Sequence, residues 1–312
     1  MKTTLVGYTG FVGGNLAARH DFDRCYNSKN IGDAFGESHE LVVYCGVRAE
    51  KFLANRDPEG DRAVIENAKR NIERMKPETL VLVSTVDVYR NPVGVDETSE
   101  MELDGLHPYG ANRYALECWA REHVRNCFVV RLPALVGRGL KKNAVYDMIN
   151  RIPSMLKAEK FEELCEKSPL VRGAYALDAA SGFYKLNPLA AGDRAALRAF
   201  YEQNDFSALS FTNGNSAFQF YDLACLWDDI RRMMSRDVRL LNIVSEPVTV
   251  AEVYRAAFGG AYPETGAPVV RYDIETAHAD LFDRPSGRYG YGREEILFRI
   301  RQGVVSGAFA AK

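Results

Sequence analysis

Two stretches of this 312-residue sequence carry side chains that could move a proton. Ser84-Thr85-Val86-Asp87-Val88-Tyr89 closes the apolar run Leu80-Val81-Leu82-Val83, and Tyr109-Gly110-Ala111-Asn112-Arg113 opens a segment with helical patterning. On a helix Tyr109 and Arg113 share one face, because residues four apart are neighbours there. A cation beside a phenol favours phenolate and lowers the Tyr pKa from its reference of about 10. Tyr109 is therefore a candidate general acid/base, with Thr85 as a hydrogen-bond partner for a substrate carbonyl or hydroxyl and Arg113 as the tuning cation. Each residue also has a plainer reading. Ser and Thr end strands for turn reasons alone, and Tyr and Arg decorate the surfaces of amphipathic helices. The order of these residues behind a third feature favours the catalytic reading.

That feature is Gly7-Tyr8-Thr9-Gly10-Phe11-Val12-Gly13, directly after the apolar Thr4-Leu5-Val6. A tight strand-to-helix turn needs glycine, bare backbone lets a pyrophosphate approach, and a helix N-terminus offers N–H donors and partial positive charge. Gly7, Thr9, Gly10, Phe11, Val12 and Gly13 are the candidate contacts to a pyridine dinucleotide. About 20 residues further on, NAD sites usually place an acid for the ribose. Here Tyr26-Asn27-Ser28-Lys29-Asn30 contains none, and Ser28 and Lys29 suit a 2′-phosphate, so the pattern leans to NADP over NAD. An exposed polar turn accounts for the same residues almost as well. Cys45, Gly46 and Val47 follow the run Leu41-Val42-Val43-Tyr44 at a place that would line the cofactor, and Arg48, Lys51 and Asn55 behind them could reach an anionic ligand.

The elements that must hold these residues alternate in the βαβ manner. Strands are expected at 4–6, 24–26, 41–44, 80–83, 128–130 and 240–244. Helices are expected at 15–19, 61–75, 110–125, 143–166, 222–236, 249–258 and 293–302, with Asp222 as an N-cap. In the helix at 61–75, Val64, Ala68, Ile72 and Met75 form the apolar face. Residues 269–274 look strand-like, and the stretch up to about 215 is loop-rich. Continuous apolar strands between helices predict an α/β fold: a doubly wound parallel sheet of Rossmann type with a smaller, discontinuous α/β substrate domain. The expected boundaries are 1–138 plus 220–246 for the dinucleotide-binding domain and 139–219 plus 247–312 for the substrate-binding domain.

The G-x-x-G-x-x-G spacing with Thr9 before Gly10 resembles the extended short-chain dehydrogenase/reductase family, which contains nucleotide-sugar epimerases, dehydratases and reductases. Thr85 stands where that family carries its active-site Ser or Thr, Tyr109 matches its catalytic Tyr, and Glu117 continues its Y-G-x-x-K-x-x-x-E pattern. Arg131-Leu132-Pro133-Ala134-Leu135-Val136-Gly137, Phe220-Tyr221-Asp222 and Leu241-Asn242-Ile243-Val244-Ser245 resemble later landmarks, so the likeness covers most of the chain. It implies an NAD(P)-dependent oxidoreductase or epimerase acting on a nucleotide-linked sugar, and a homodimer built on a helix pair. Asp87, Lys141, Lys142 and Asn143 would then be substrate contacts, the last three on diphosphate oxygens; lysines of an ordinary solvated loop are the plainer alternative.

Two departures stand out. Arg113 replaces the family's lysine, and a guanidinium stays charged and differs in shape from an ammonium. Thr85-Val86-Asp87 also lacks the Thr-Asp-Glu of sugar dehydratases, which argues against dehydration. A non-catalytic dinucleotide-binding sensor or scaffold that lost the lysine is the rival reading, and reduction of a small carbonyl compound without a nucleotide is a third.

Composition narrows the field. Hydrophobic residues make up 46% and charged residues 26%, which excludes a disordered chain, and a net charge of -2 gives no basic bias toward nucleic acid or an anionic membrane. No apolar run is long enough to span a bilayer, and the sequence goes straight from Met1-Lys2-Thr3-Thr4 into an apolar strand, so a cytoplasmic location is expected. The six cysteines form no C-x-x-C pair and the five histidines no H-x-x-x-H pair, so they are read as incidental thiols and no metal site is expected.

Overall fold

The computed structural model describes residues 1–179, 181–284 and 287–310. The chain divides into two compact units, one of residues 1–140, 217–248 and 271–312, the other of residues 141–216 and 249–270.

The first unit is built on six parallel strands: β1 (Thr3–Val6), β2 (Arg24–Tyr26), β3 (Leu41–Tyr44), β4 (Thr79–Thr85), β5 (Cys127–Leu132) and β6 (Leu240–Asn242). Their order across the sheet is β6-β5-β4-β3-β1-β2. The chain first moves outward from β1 to β2 and then crosses back to β3 on the other side of β1. The crevice at the carboxyl ends of β1 and β3 is therefore the topological switch point where open α/β sheets bind ligands.

Alternation along the strands supplies both faces of this sheet with apolar side chains, as a doubly covered parallel sheet requires. On one face Leu5, Val43, Val81 and Val130 pack with Leu16 of helix α1 (Phe11–Ala17) and with Leu226, Ile230 and Met233 of a later helix, Leu226–Ser235. On the other, Val42, Tyr44, Leu80, Leu82 and Val129 meet helices α2 (Pro58–Met75) and α3 (Pro108–His123). The buried stripe of α2 is Ile65, Ala68, Ile72 and Met75, so Ile65 takes the place expected of Val64, which is only half-buried. Asp57 caps α2 by accepting from the Gly60 amide at 2.9 Å, Pro58 opens it, and Lys76 ends it in a left-handed conformation.

The expected helix at 222–236 begins with a short 3-10 turn whose Ala224 amide donates to Asp222, so Asp222 does act as a cap. The expectation that residues 247–312 belong to the second domain differs from the observed packing. Only 249–270 join the second unit. Residues 271–312 return to the first, where Asp273 and Ile274 pair with the strand Val93–Val95, Tyr291 bridges Ser245, and Ile296 and Ile300 of the helix Arg293–Val305 are buried.

The second unit has its own core around Leu156, Phe161, Leu164, Tyr175, Leu197 and Tyr201. A hairpin of Tyr175–Asp178 and Phe183–Leu186 pairs with Met155–Leu156 in a three-stranded antiparallel sheet. The single helix expected over 143–166 is two helices, Ala144–Asn150 and Ala158–Lys167. Arg151 ends the first in a left-handed conformation, and Pro153 lies in the break between them. The loop-rich region expected up to 215 contains the hairpin and the helix Ala191–Gln203. Among the described residues no helix is long and apolar enough to cross a membrane.

Candidate active site

The glycine turn leaves β1 at the switch point. Gly7 has φ +90, and a Cβ there would lie 2.7 Å from the Cys45 carbonyl oxygen. A Cβ on Gly13 would lie 2.2 Å from the Gly7 carbonyl oxygen, so only glycine lets α1 sit this close to the turn. Gly10 occupies the N-cap of α1 and provides no side-chain cap. The first-turn N–H groups of any helix have no intrahelical acceptor. A bare backbone with uncapped amides fits a diphosphate, and Gly7, Thr9, Gly10, Phe11, Val12 and Gly13 form that surface.

Neighbouring residues close around the turn. The Gly7 amide donates to the Tyr26 carbonyl at 2.7 Å, which brings the end of β2 alongside. Beyond it Ser28 and Lys29 are exposed on a polar turn, where the Lys29 amide donates to Asn27 Oδ1 at 2.9 Å. Cys45 donates its amide to the Val6 carbonyl at 2.9 Å, and a Cβ on Gly46 would press on the Tyr44 ring and Val6 at 3.2 Å. Cys45, Gly46 and Val47 thus lie at the carboxyl end of β3, against the glycine turn. Burial pushes the Cys45 thiol well above its ordinary pKa.

Thr85 ends β4 and accepts from the Asp87 amide at 3.1 Å. What brings Tyr109 here is the start of α3. His107 caps that helix, its Nδ1 accepting from the Gly110 amide at 3.0 Å, and the Tyr109 amide donates to Asn55 Oδ1 at 3.0 Å. A Cβ on Gly110 would lie 2.2 Å from the Asp87 carbonyl oxygen, so glycine at this position lets the helix dock on the end of β4.

Arg113 lies one turn below Tyr109, with its guanidinium 3.9 Å from the centre of the Tyr109 ring. It forms a buried ion pair with Asp61 of α2 and donates to the Arg48 carbonyl. Asn112 Nδ2 donates to the same Asp61 carboxylate at 2.8 Å. The expected lowering of the Tyr109 pKa is not the net outcome. Burial raises it most, Arg113 and the neighbouring Thr85 hydroxyl pull it down, Asp87 and Asp61 push it up, and the phenol ends above its usual value. The physical reason is burial, which penalises the phenolate more than Arg113 favours it, with Asp87 and Asp61 adding to the rise.

Beneath the site runs a second buried network. Arg131 Nε donates to Glu117 at 3.1 Å and its Nη2 at 2.6 Å, Ser84 donates to the same carboxylate, and Arg131 Nη1 donates to the Tyr89 hydroxyl at 2.8 Å. Arg131 and Glu117 are 2% and 1% exposed, so the pair is structural and locks β4, β5 and α3 together. Glu117 and Arg131 were legible as motif residues, whereas their pairing was not.

Asp87 faces a cavity of about 220 Å³ shared with Thr85, Lys51 and Tyr272. Its Oδ1 accepts from Lys51 Nζ at 2.8 Å and from the Tyr272 hydroxyl at 2.9 Å. Of the residues expected to reach an anionic ligand, Lys51 is thus paired with Asp87 and Asn55 caps the Tyr109 helix. Lys141, Lys142 and Asn143 open the second unit, where Asn143 Oδ1 accepts from the Tyr146 amide at 3.1 Å and caps the helix Ala144–Asn150. Residues that sequence reasoning left out are Asp61 and Tyr272, which enter through contacts distant in the chain, and His107, which caps its own helix three residues on.

No protein-family model matches the sequence, and a search of curated proteins finds no match. Solved structures share the fold. The chain is similar to RMD from Pseudomonas aeruginosa complexed with NADPH, at 16% identity, 99% and 100% coverage of the two chains and a TM-score of 0.62. It is similar to MoeE5 in complex with UDP-glucuronic acid and NAD, at 15% identity, 98% and 100% coverage and a TM-score of 0.61. It is also similar to dTDP-4-dehydrorhamnose reductase from Yersinia enterocolitica, at 11% identity, 99% coverage of both chains and a TM-score of 0.59.

Proposed function

We propose that this protein is an NAD(P)-dependent oxidoreductase or epimerase acting on a nucleotide-linked sugar, with Tyr109 as general acid/base. The observation that carries the reading is the docking of the Tyr109 helix on the end of β4, where Gly110 lies against the Asp87 carbonyl two residues beyond Thr85, in the same unit as the glycine turn. Gly7, Thr9, Gly10, Phe11, Val12 and Gly13 would hold the diphosphate, Cys45, Gly46 and Val47 would line the nucleotide, and Ser28 and Lys29 would meet a 2′-phosphate. The dinucleotide, when bound, supplies or accepts a hydride. Structures of the same fold in complex with NADPH, or with NAD and UDP-glucuronic acid, support this assignment.

Tyr109 does the protonic half of the reaction. In the reducing direction its Oη gives a proton to the carbonyl oxygen as hydride reaches the carbon. In the oxidising direction it takes the carbinol proton. The raised pKa keeps the phenol protonated at neutral pH, which suits carbonyl reduction. Thr85 would hydrogen-bond the substrate carbonyl or hydroxyl beside Tyr109. Asp87 would be a further substrate contact in this unit.

The buried Arg113–Asp61 pair favours a second reading, a non-catalytic NAD(P)-binding sensor or scaffold, because it leaves Tyr109 without an unpaired cation. One experiment separates the two. NADPH and NADH consumption is followed with UDP-, GDP- and dTDP-linked keto-sugars, for the parent protein and for Tyr109→Phe. Turnover that disappears in the variant supports the enzyme. Tight cofactor binding with no turnover of any sugar supports the sensor, and unchanged turnover in Tyr109→Phe removes Tyr109 from the mechanism.

A further inference from the structure

The 220 Å³ cavity beside Thr85 is too small for a whole nucleotide sugar, since ligand pockets start at roughly 300 Å³. It has room for one moiety, and its chemistry is unusual. Lys51 and Asp87 are the charged residues among its described lining, and they are paired at 2.8 Å. Tyr272 completes the group, donating to the Asp87 oxygen that also accepts from Lys51. The backbone that carries Tyr272 is held from behind. Its own amide donates to the Ala217 carbonyl at 2.9 Å, and the buried Gln219 side chain bonds both the amide and the carbonyl of Ile274, two residues on.

The charges around this group also cancel. Asp61 takes the charge of Arg113. His107 is kept neutral, its pKa pushed below the ordinary histidine value by burial and by Lys51. The wall therefore offers a carboxylate acceptor, an ammonium donor and a phenol with no net charge.

Resting on the nucleotide-sugar reading above, we propose that Lys51, Asp87 and Tyr272 form a charge-balanced subsite for the glycosyl ring and select a neutral hexosyl group over a uronic acid. Vicinal hydroxyls bridge such a pair without breaking it, donating to Asp87 and accepting from Lys51. A uronate would have to compete with Asp87 for Lys51 and would leave one of two carboxylates facing the other. Like charges so placed are strongly disfavoured in a partly desolvated site. Lys51 and Asp87 are thus specificity-determining residues, and the reacting proton stays with Tyr109.

The test is binding calorimetry on the full chain saturated with NADPH, using matched pairs on one nucleotide: UDP-glucose against UDP-glucuronate, and GDP-mannose against GDP-mannuronate. Neutral sugars should bind at least about tenfold tighter than their uronates, because like-charge juxtaposition is costly. Asp87→Asn, which frees Lys51 and removes the competing carboxylate, should erase or reverse that ratio. Lys51→Met, which leaves Asp87 alone, should widen it, and this variant carries the test if Asp87→Asn fails to fold. Equal affinity within a pair, a parent preference for the uronate, or a ratio unmoved in the variants overturns the subsite while UDP or GDP still binds. If neither free nucleotides nor any of their sugars bind, the nucleotide-sugar reading itself falls, and the subsite with it.

Discussion

Replacing Arg113 with methionine should be among the most damaging single changes in the first unit. The side chain is 6% exposed and that of Asp61 is 8% exposed, so the variant leaves a carboxylate buried without its cation. Removing one partner of a buried pair costs about 3–5 kcal/mol. The change also strips a donor from the Arg48 carbonyl and a guanidinium from the Tyr109 ring at 3.9 Å, losses that overlap with the first. Asp61→Leu with Arg113→Met replaces the pair by apolar groups, and such exchanges are often neutral or stabilising. The double variant should therefore lie within about 1.5 kcal/mol of the parent, a coupling of several kcal/mol. Urea unfolding followed by circular dichroism of all four proteins measures the cycle. Arg113→Met within about 0.5 kcal/mol of the parent, the range of ordinary surface changes, would refute the reasoning. The same variants probe function. Arg113 pulls the Tyr109 pKa down and Asp61 pushes it up, so Arg113→Met should move the alkaline limb of any turnover profile to higher pH, while the double variant moves it less.

Two further perturbations act elsewhere in the chain. Gly13→Ala places a Cβ 2.2 Å from the Gly7 carbonyl, forcing α1 off the turn; it should cost about 1–3 kcal/mol and weaken NADPH binding measured by fluorescence titration, and unchanged affinity would count against the turn as the diphosphate cradle. In the second unit, burial raises the Asp147 pKa to about 7. A carboxyl raised on folding contributes stability that is fully present below its unfolded pKa of about 3.9 and is lost as pH rises through the folded value. Asp147→Asn should then raise the thermal midpoint at pH 8 and leave it nearly unchanged at pH 4, and a variant no more stable at pH 8 would show that Asp147 ionises there without penalty.

Much of the frame was legible because it is local. The apolar runs at 41–44 and 80–83 are strands because each lies between covered faces, and the glycine turn announces itself through positions where any Cβ would strike backbone. Tyr109 and Thr85 could be nominated together from motif order alone. What sequence could not supply is where charge is spent. Asp61 lies 52 residues before Arg113, and Tyr272 lies 185 residues beyond Asp87, so neither partner leaves a periodic signal. The sign of the Tyr109 shift follows first from burial of the phenol, which depends on the tertiary packing, with Asp87 and Asp61 adding to it. The break at Arg151 and Pro153 was obscured by polar helical composition on both sides, and the return of residues 271–312 to the first unit depends on short bridges such as that between Ser245 and Tyr291.

The central claim is that Tyr109 passes a proton while hydride moves between a pyridine dinucleotide and a sugar. It is tested most directly by isotope transfer. The protein is incubated with NADPH or NADH deuterated at the transferable C4 position and with 4-keto forms of UDP-, GDP- and dTDP-sugars, and the recovered sugar is weighed by mass spectrometry. The account predicts one deuterium in the product of the parent protein, and none above background from Tyr109→Phe, which still binds both ligands. No label from any sugar with the parent, or equal label with Tyr109→Phe, would contradict it.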